Sequence, residues 1–122
     1  MQVGYVVLYV DDIELCRSFG RDRIGMVEKR CAFAGTTPIP QLGFPDQDFS
    51  FELVPRALMA DNPDEIDMAT PSLCFHVDDL VATRSRLRDA GVDASEIGDA
   101  HGTASFAFPD PEGRWFAVIK RP

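Results

Sequence analysis

At 122 residues the chain has room for one domain, or for one domain built of two small similar halves. Its 45% hydrophobic content supports a packed core and excludes disorder as the default. A net charge of −8 excludes nucleic acid as a partner, since phosphate contacts need clustered Lys and Arg, and the dispersed carboxylates read as solvated surface.

The first predicted element is a strand over Val6 to Val10, rich in Val, Leu and Tyr. Asp11 and Asp12 then cap a helix, accepting from its free N–H groups and facing its positive dipole end. Ile13, Cys16, Phe19 or Gly20, and Ile24 fall at helical spacing, and Gly25 stands where the helix should end. Val27 to Ala34 and Phe49 to Val54 read as strands. Between them three prolines, Pro38, Pro40 and Pro45, leave only a short strand near Gln41 to Phe44. A Pro-, Asn- and acid-containing stretch over about residues 55–70 reads as a linker.

After the linker the pattern starts again. Leu73-Cys74-Phe75-His76-Val77 is a strand, Asp78-Asp79 a cap, and Leu80, Leu87 and Ala90 mark a helix ending at Gly91. Strands over Thr103 to Phe108 and Arg114 to Lys120 flank Asp110-Pro111-Glu112-Gly113, a hairpin turn in which Gly113 can take a positive φ.

The two runs are an internal repeat. Val6 to Ile13 matches Leu73 to Leu80, Asp12 and Asp79 stand 67 positions apart, and the same offset relates Arg21-Asp22 to Arg88-Asp89. The reading is βαβββ twice, with half 1 at about residues 1–54 and half 2 at about 71–122. Halves of about this size bury too little surface alone and are expected to pack together.

Cys16, Cys31 and Cys74 are an odd number, set in apolar runs without Cys-x-x-Cys spacing. They read as reduced, buried thiols of a cytoplasmic protein rather than a disulfide framework or zinc site. No apolar run has the length of a membrane span, and the N-terminus shows no basic segment followed by an apolar stretch, so neither a membrane partner nor export is expected.

A βαβββ duplication that opens with strand–Asp-Asp–aliphatic and closes with Phe108-Pro109-Asp110-Pro111-Glu112-Gly113-Arg114 resembles the vicinal-oxygen-chelate superfamily of glyoxalases, bleomycin-resistance proteins and extradiol dioxygenases. The resemblance covers nearly the whole chain. It implies an α+β fold in which two βαβββ repeats form a curved eight-stranded sheet around a cup, with helices outside. It also implies a homodimer, with exchange of halves between partners as one form. It does not fix function, because the superfamily hosts lyases, epimerases, dioxygenases and non-catalytic drug binders.

Metal enzymes of the superfamily take one ligand from the first strand and one from the last strand of each half. Carried over, those positions are Tyr5, Glu52, Ser72 and Ala117. Only Glu52 has metal-ligand chemistry, so no metal and no other cofactor is expected. His76 and His101 could join Glu52 only as an unconventional set.

Strand alternation puts Tyr5, Val7, Tyr9, Ser50, Glu52, Val54, Ser72, Cys74, His76, Trp115, Ala117 and Ile119 on the cup face. Leu8, Val10, Phe51, Leu53, Phe75, Val77, Phe116 and Val118 are expected beneath the helices. Tyr5, Tyr9, Glu52, Cys74, His76 and Trp115 are the candidate ligand-binding residues. Each has a plainer reading: Trp115 and Tyr9 as core or interface aromatics, His76 as a structural residue, Cys74 as an inert buried thiol. Glu52, between Phe51 and Leu53, needs a partner, with His76, a tyrosine hydroxyl or a ligand cation as the options. Together with the resemblance, these residues imply a metal-free binding protein of the bleomycin-resistance, antibiotic-sequestering type for an aromatic or cationic small molecule. The alternative is a glyoxalase-like lyase or isomerase using an altered metal set, or Glu52 and His76 as acid and base.

Overall fold

Residues 2–59, 68–100 and 102–122 are described by the computed structural model, whose two compact units are Met1–Thr70 and Pro71–Pro122. In the first unit β1 (Val6–Val10) runs into Asp12. The Asp12 carboxylate accepts a 3.0 Å hydrogen bond from the Leu15 N–H and opens α1 (Ile13–Ser18). The expected helix continues to Ile24, but Phe19–Ile24 winds as a wider π-helix that buries Gly20 and Ile24 together. A Cβ at Gly20 would stand 3.0 Å from Leu42 Cδ1, which keeps a small residue there. Gly25 closes the turn with φ 92°.

Three strands follow: β2 (Val27–Ala34), β3 (Thr37–Gly43) and β4 (Phe51–Pro55). The sheet order is β1-β4-β3-β2, with β1 and β4 parallel and the other pairs antiparallel. The short strand expected near Gln41 to Phe44 is instead seven residues long and contains Pro38 and Pro40. It pairs with β4 through Gln41 and Leu42; Pro38 and Pro40 lie beyond that ladder and stand opposite Phe33 and Cys31 of β2. The start of the expected linker is also ordered, as the tail of β4 and a 3-10 turn over Arg56–Met59.

The second unit repeats the order. β5 (Cys74–Val77) leads to Asp79, whose carboxylate accepts from the Ala82 N–H at 2.9 Å and opens α2 (Leu80–Asp89). β6 (Gly98–Ala100), β7 (Thr103–Pro109) and β8 (Trp115–Lys120) complete a sheet of order β5-β8-β7-β6, with β5 parallel to β8. The α+β class and the doubled βαβββ order read from the sequence are both present, the eight strands being shared between two four-stranded mixed sheets.

In each unit the helix covers one sheet face: α1 packs on β3 and β4, and α2 on β8. Leu8, Val10, Leu42, Phe51 and Leu53 are buried in the first unit, and Phe106, Phe108, Phe116 and Val118 in the second. Phe75, Phe108 and Phe116 stack with centroids 5.5–6.2 Å apart, each such pair adding about 0.5–1.5 kcal/mol to its area burial.

The hairpin joining β7 to β8 is tied by a set of short hydrogen bonds. The Gly113 N–H donates to the Asp110 carbonyl at 3.0 Å and Gly113 takes φ 82°. One Asp110 carboxylate oxygen accepts from the Glu112 and Arg114 N–H groups, both at 2.9 Å. Arg114, buried, bonds both Asp110 at 2.9 Å and Glu112 at 3.0 Å. Burial works against its charge, but the hydrogen bonds and charges of Asp110 and Glu112 outweigh that and raise its pKa above the ordinary arginine value. The turn fixes the start of β8 and therefore Trp115.

Candidate functional site

The face of each sheet turned away from its helix carries the residues that alternate with the core. In the first unit this open face takes Tyr5, Val7 and Tyr9 from the β1 segment and Glu52 and Val54 from β4. Tyr5 is 46% exposed; Val7, Tyr9, Glu52 and Val54 are half-buried. Tyr5, Tyr9 and Glu52, expected together on the cup face, share the open face of this sheet.

The partner of Glu52 is none of those expected. Gln41, directly opposite it on β3, donates from Nε2 to Glu52 Oε2 at 2.8 Å. The Ser50 hydroxyl, predicted on the open face, is buried and lies 3.5 Å from Gln41 Oε1, to which it donates. Sequence reasoning missed Gln41 because prolines obscured its strand. The period of two through Ile39, Gln41 and Gly43, against Pro38, Pro40 and Leu42, is the signal that finds it. Arg30, opposite Gln41 on β2, was missed with it.

In the second unit Cys74 and His76 on β5 share the open face with Trp115, Ala117 and Ile119 on β8 and Ser105 and Ala107 on β7. Cys74 and His76 are exposed, and Trp115 is 56% exposed on its strand. Trp115 is thus no core residue. The expectation of buried thiols holds for Cys16 but not for Cys74, because Cys74 alternates with the core residue Phe75 on an edge strand. Cys31 is half-buried.

The four positions carried over from metal enzymes do not fit a divalent ion. Ala117 has no donor atom, Ser72 and Tyr5 are exposed neutral groups, and one oxygen of Glu52 is engaged by Gln41. Among the described residues no three His, Cys, Asp and Glu side chains gather into a group that could hold a metal. His101 lies outside the described residues. Also among the described residues, no helix is long and apolar enough to cross a membrane.

Solved structures with this fold include TnmS3, an antibiotic binding protein from Streptomyces sp. CB03234. It is 20% identical with a TM-score of 0.81, over 100% of this chain and 97% of that one. A glyoxalase/bleomycin resistance protein/dioxygenase superfamily member from Sphaerobacter thermophilus DSM 20745 is 16% identical with a TM-score of 0.81, over 99% and 98%. A lactoylglutathione lyase from Agrobacterium tumefaciens is 19% identical with a TM-score of 0.71, over 98% and 92%. At these identities the likeness establishes the fold, and it spans an antibiotic binding protein and a lyase. No curated protein matches the chain in sequence. The doubled βαβββ order, the paired Asp caps and a family-model match over residues 2–118 agree: the chain belongs to the Glyoxalase/Bleomycin resistance protein/Dioxygenase superfamily.

Proposed function

We propose that the protein is a metal-free small-molecule binding protein of the bleomycin-resistance type, which sequesters an aromatic or cationic ligand against its open sheet faces. The observation that carries this reading is the chemistry of those faces. They offer the aromatic rings of Tyr5, Tyr9 and Trp115 with Glu52, His76 and Cys74 as sparse polar groups, while Glu52 alone among the superfamily's four metal positions has metal-ligand chemistry. The likeness in fold to an antibiotic binding protein supports it. Three free thiols accord with a reducing, cytoplasmic setting. A homodimer is the proposed assembly, checked by light scattering.

Trp115 is the chain's single tryptophan and its fluorescence reports on ligands stacking near it. Titration with a panel of planar aromatic compounds in the presence of a chelator should give saturable quenching. Binding or turnover that requires an added divalent metal would contradict the reading, as would the absence of saturable binding across the panel.

A further inference from the structure

Across the open face of the first sheet, Val7, Glu52, Gln41 and Arg30 stand side by side in register, one from each strand. Gln41 is held from both ends, donating to Glu52 Oε2 at 2.8 Å and accepting from the buried Ser50 hydroxyl at 3.5 Å. That arrangement fixes the half-buried Glu52 carboxylate and leaves Oε1 as a directed acceptor. Arg30 lies next along the row and is exposed; among the described residues its side chain has no hydrogen bond or ion pair. Arg17, Arg56, Arg84, Arg114 and Arg121, by contrast, are all ion-paired.

The chain contains its own control. In the second repeat the row matching Val7–Glu52–Gln41 is Cys74–Ala117–Ala107, in the same parallel and antiparallel register. The βαβββ unit therefore builds without a carboxylate and an amide at these positions. A half-buried carboxylate carries a desolvation cost that alanine avoids. The polar row is thus an addition to the fold, and its groups alternate acceptor, amide and cation across the sheet.

Resting on the binding function proposed above, we infer that this row reads a ligand with a hydroxyl or ammonium donor at one end and an anionic oxygen at the other. Glu52 takes the donor and Arg30 the anion. Gln41 is a positioning residue, and the two ligand groups lie within about 10 Å, the span of two strand spacings. The net charge of −8 repels an anion at long range, but a screening length of about 8 Å at physiological salt limits that repulsion to nearby groups.

The test uses three probes in calorimetric titrations of the full chain: 6-hydroxy-2-naphthoic acid, its methyl ester, and 6-methoxy-2-naphthoic acid. The hydroxy acid should bind about tenfold more tightly than either analogue, the worth of a modest charge-assisted hydrogen bond. Arg30→Gln, at an exposed position, should erase the acid-over-ester preference with the melting temperature unchanged. Gln41→Met should shrink the hydroxy-over-methoxy preference and leave the acid preference intact, a split that a merely structural role for Gln41 would not produce. Equal affinity for acid and ester, or an acid preference that survives Arg30→Gln, would overturn the inference while leaving the binding function standing. The inference also falls, with the binding function intact, if none of the three binds while other planar aromatics quench Trp115. If no aromatic compound binds at all, both fall.

Discussion

Arg56 Nε donates to Asp11 Oδ1 at 3.1 Å, and 3.0 Å separates the corresponding atoms of Arg121 and Asp78 in the second repeat. Each arginine follows the last strand of its unit and clasps the first aspartate of the Asp-Asp pair. Another duplicated clamp sits on the helices: Arg17 reaches Glu28 at 2.6 Å, and Arg84 reaches the Ser95 carbonyl at 2.6 Å and Glu96 at 3.0 Å. The Arg56 and Arg121 pairs tie the parallel strands β1 and β4, or β5 and β8, at the corner where the helix begins.

Arg56 also donates from Nη2 to the Tyr9 carbonyl at 3.1 Å. Its ion pair is exposed and worth at most about 1 kcal/mol, with the backbone hydrogen bond adding about as much. Arg56→Gln should therefore cost about 1–2 kcal/mol in denaturant melts. Arg121→Gln, at a side chain with no such carbonyl bond among the described residues, should cost less. Equal losses would mean that the Tyr9 contact contributes nothing.

Arg114→Met should be far more damaging. The side chains of Arg114 and Asp110 are only 6% and 8% exposed, and removing one member of a buried pair costs about 3 kcal/mol or more. Arg114→Lys keeps the charge but cannot span both carboxylates, and should recover only part of the loss. Because the arginine pKa is raised, its stabilisation is complete below arginine's ordinary value and lost only as pH climbs through the raised one. The stability gap between wild type and Arg114→Met should stay constant from about pH 7 to about pH 10; a gap that closes over that range would contradict the assignment.

Gly43→Ala tests the packing beside the polar row. A Cβ there would stand 2.4 Å from the Phe49 carbonyl oxygen and 3.3 Å from Ser50 Cα. Relieving that overlap must shift backbone next to Ser50, at a cost of about 1–3 kcal/mol in thermal or denaturant melts. An unchanged melting temperature would show that the segment before β4 moves aside freely.

The parts of this fold legible in the sequence were the local and the repeated ones. Asp12 and Asp79 cap their helices because a carboxylate beside free N–H groups acts within one turn, and the apolar phase of each strand needs only the neighbouring residue as contrast. β6 had no such contrast, since Gly98, Asp99 and Ala100 lack strand-favouring side chains. The partner of Glu52 was hidden for another reason. It depends on which strand lies beside β4, a long-range register that prolines in β3 made hard to see. Tyr5, Tyr9, Cys74, His76 and Trp115 were assigned to faces by parity alone, and Cys74 was misjudged as buried because parity does not reveal what covers a face.

Metal binding offers a separate check on the proposed function. Calorimetric titration with Zn²⁺, Ni²⁺, Mn²⁺ and Fe²⁺ should detect no stoichiometric site, given Tyr5, Glu52, Ser72 and Ala117 at the four positions. One-to-one binding abolished by Glu52→Gln would favour a lyase instead.

The most direct test of the binding function is Trp115→Ala, measured for both stability and affinity. Trp115 is 56% exposed on the open face of β8, so its loss removes little core packing. The expected result is an unchanged melting temperature and a binding loss of about 1–3 kcal/mol for a planar ligand, the effect of deleting an aromatic anchor. A lowered melting temperature, with affinity per folded protein unchanged, would contradict it.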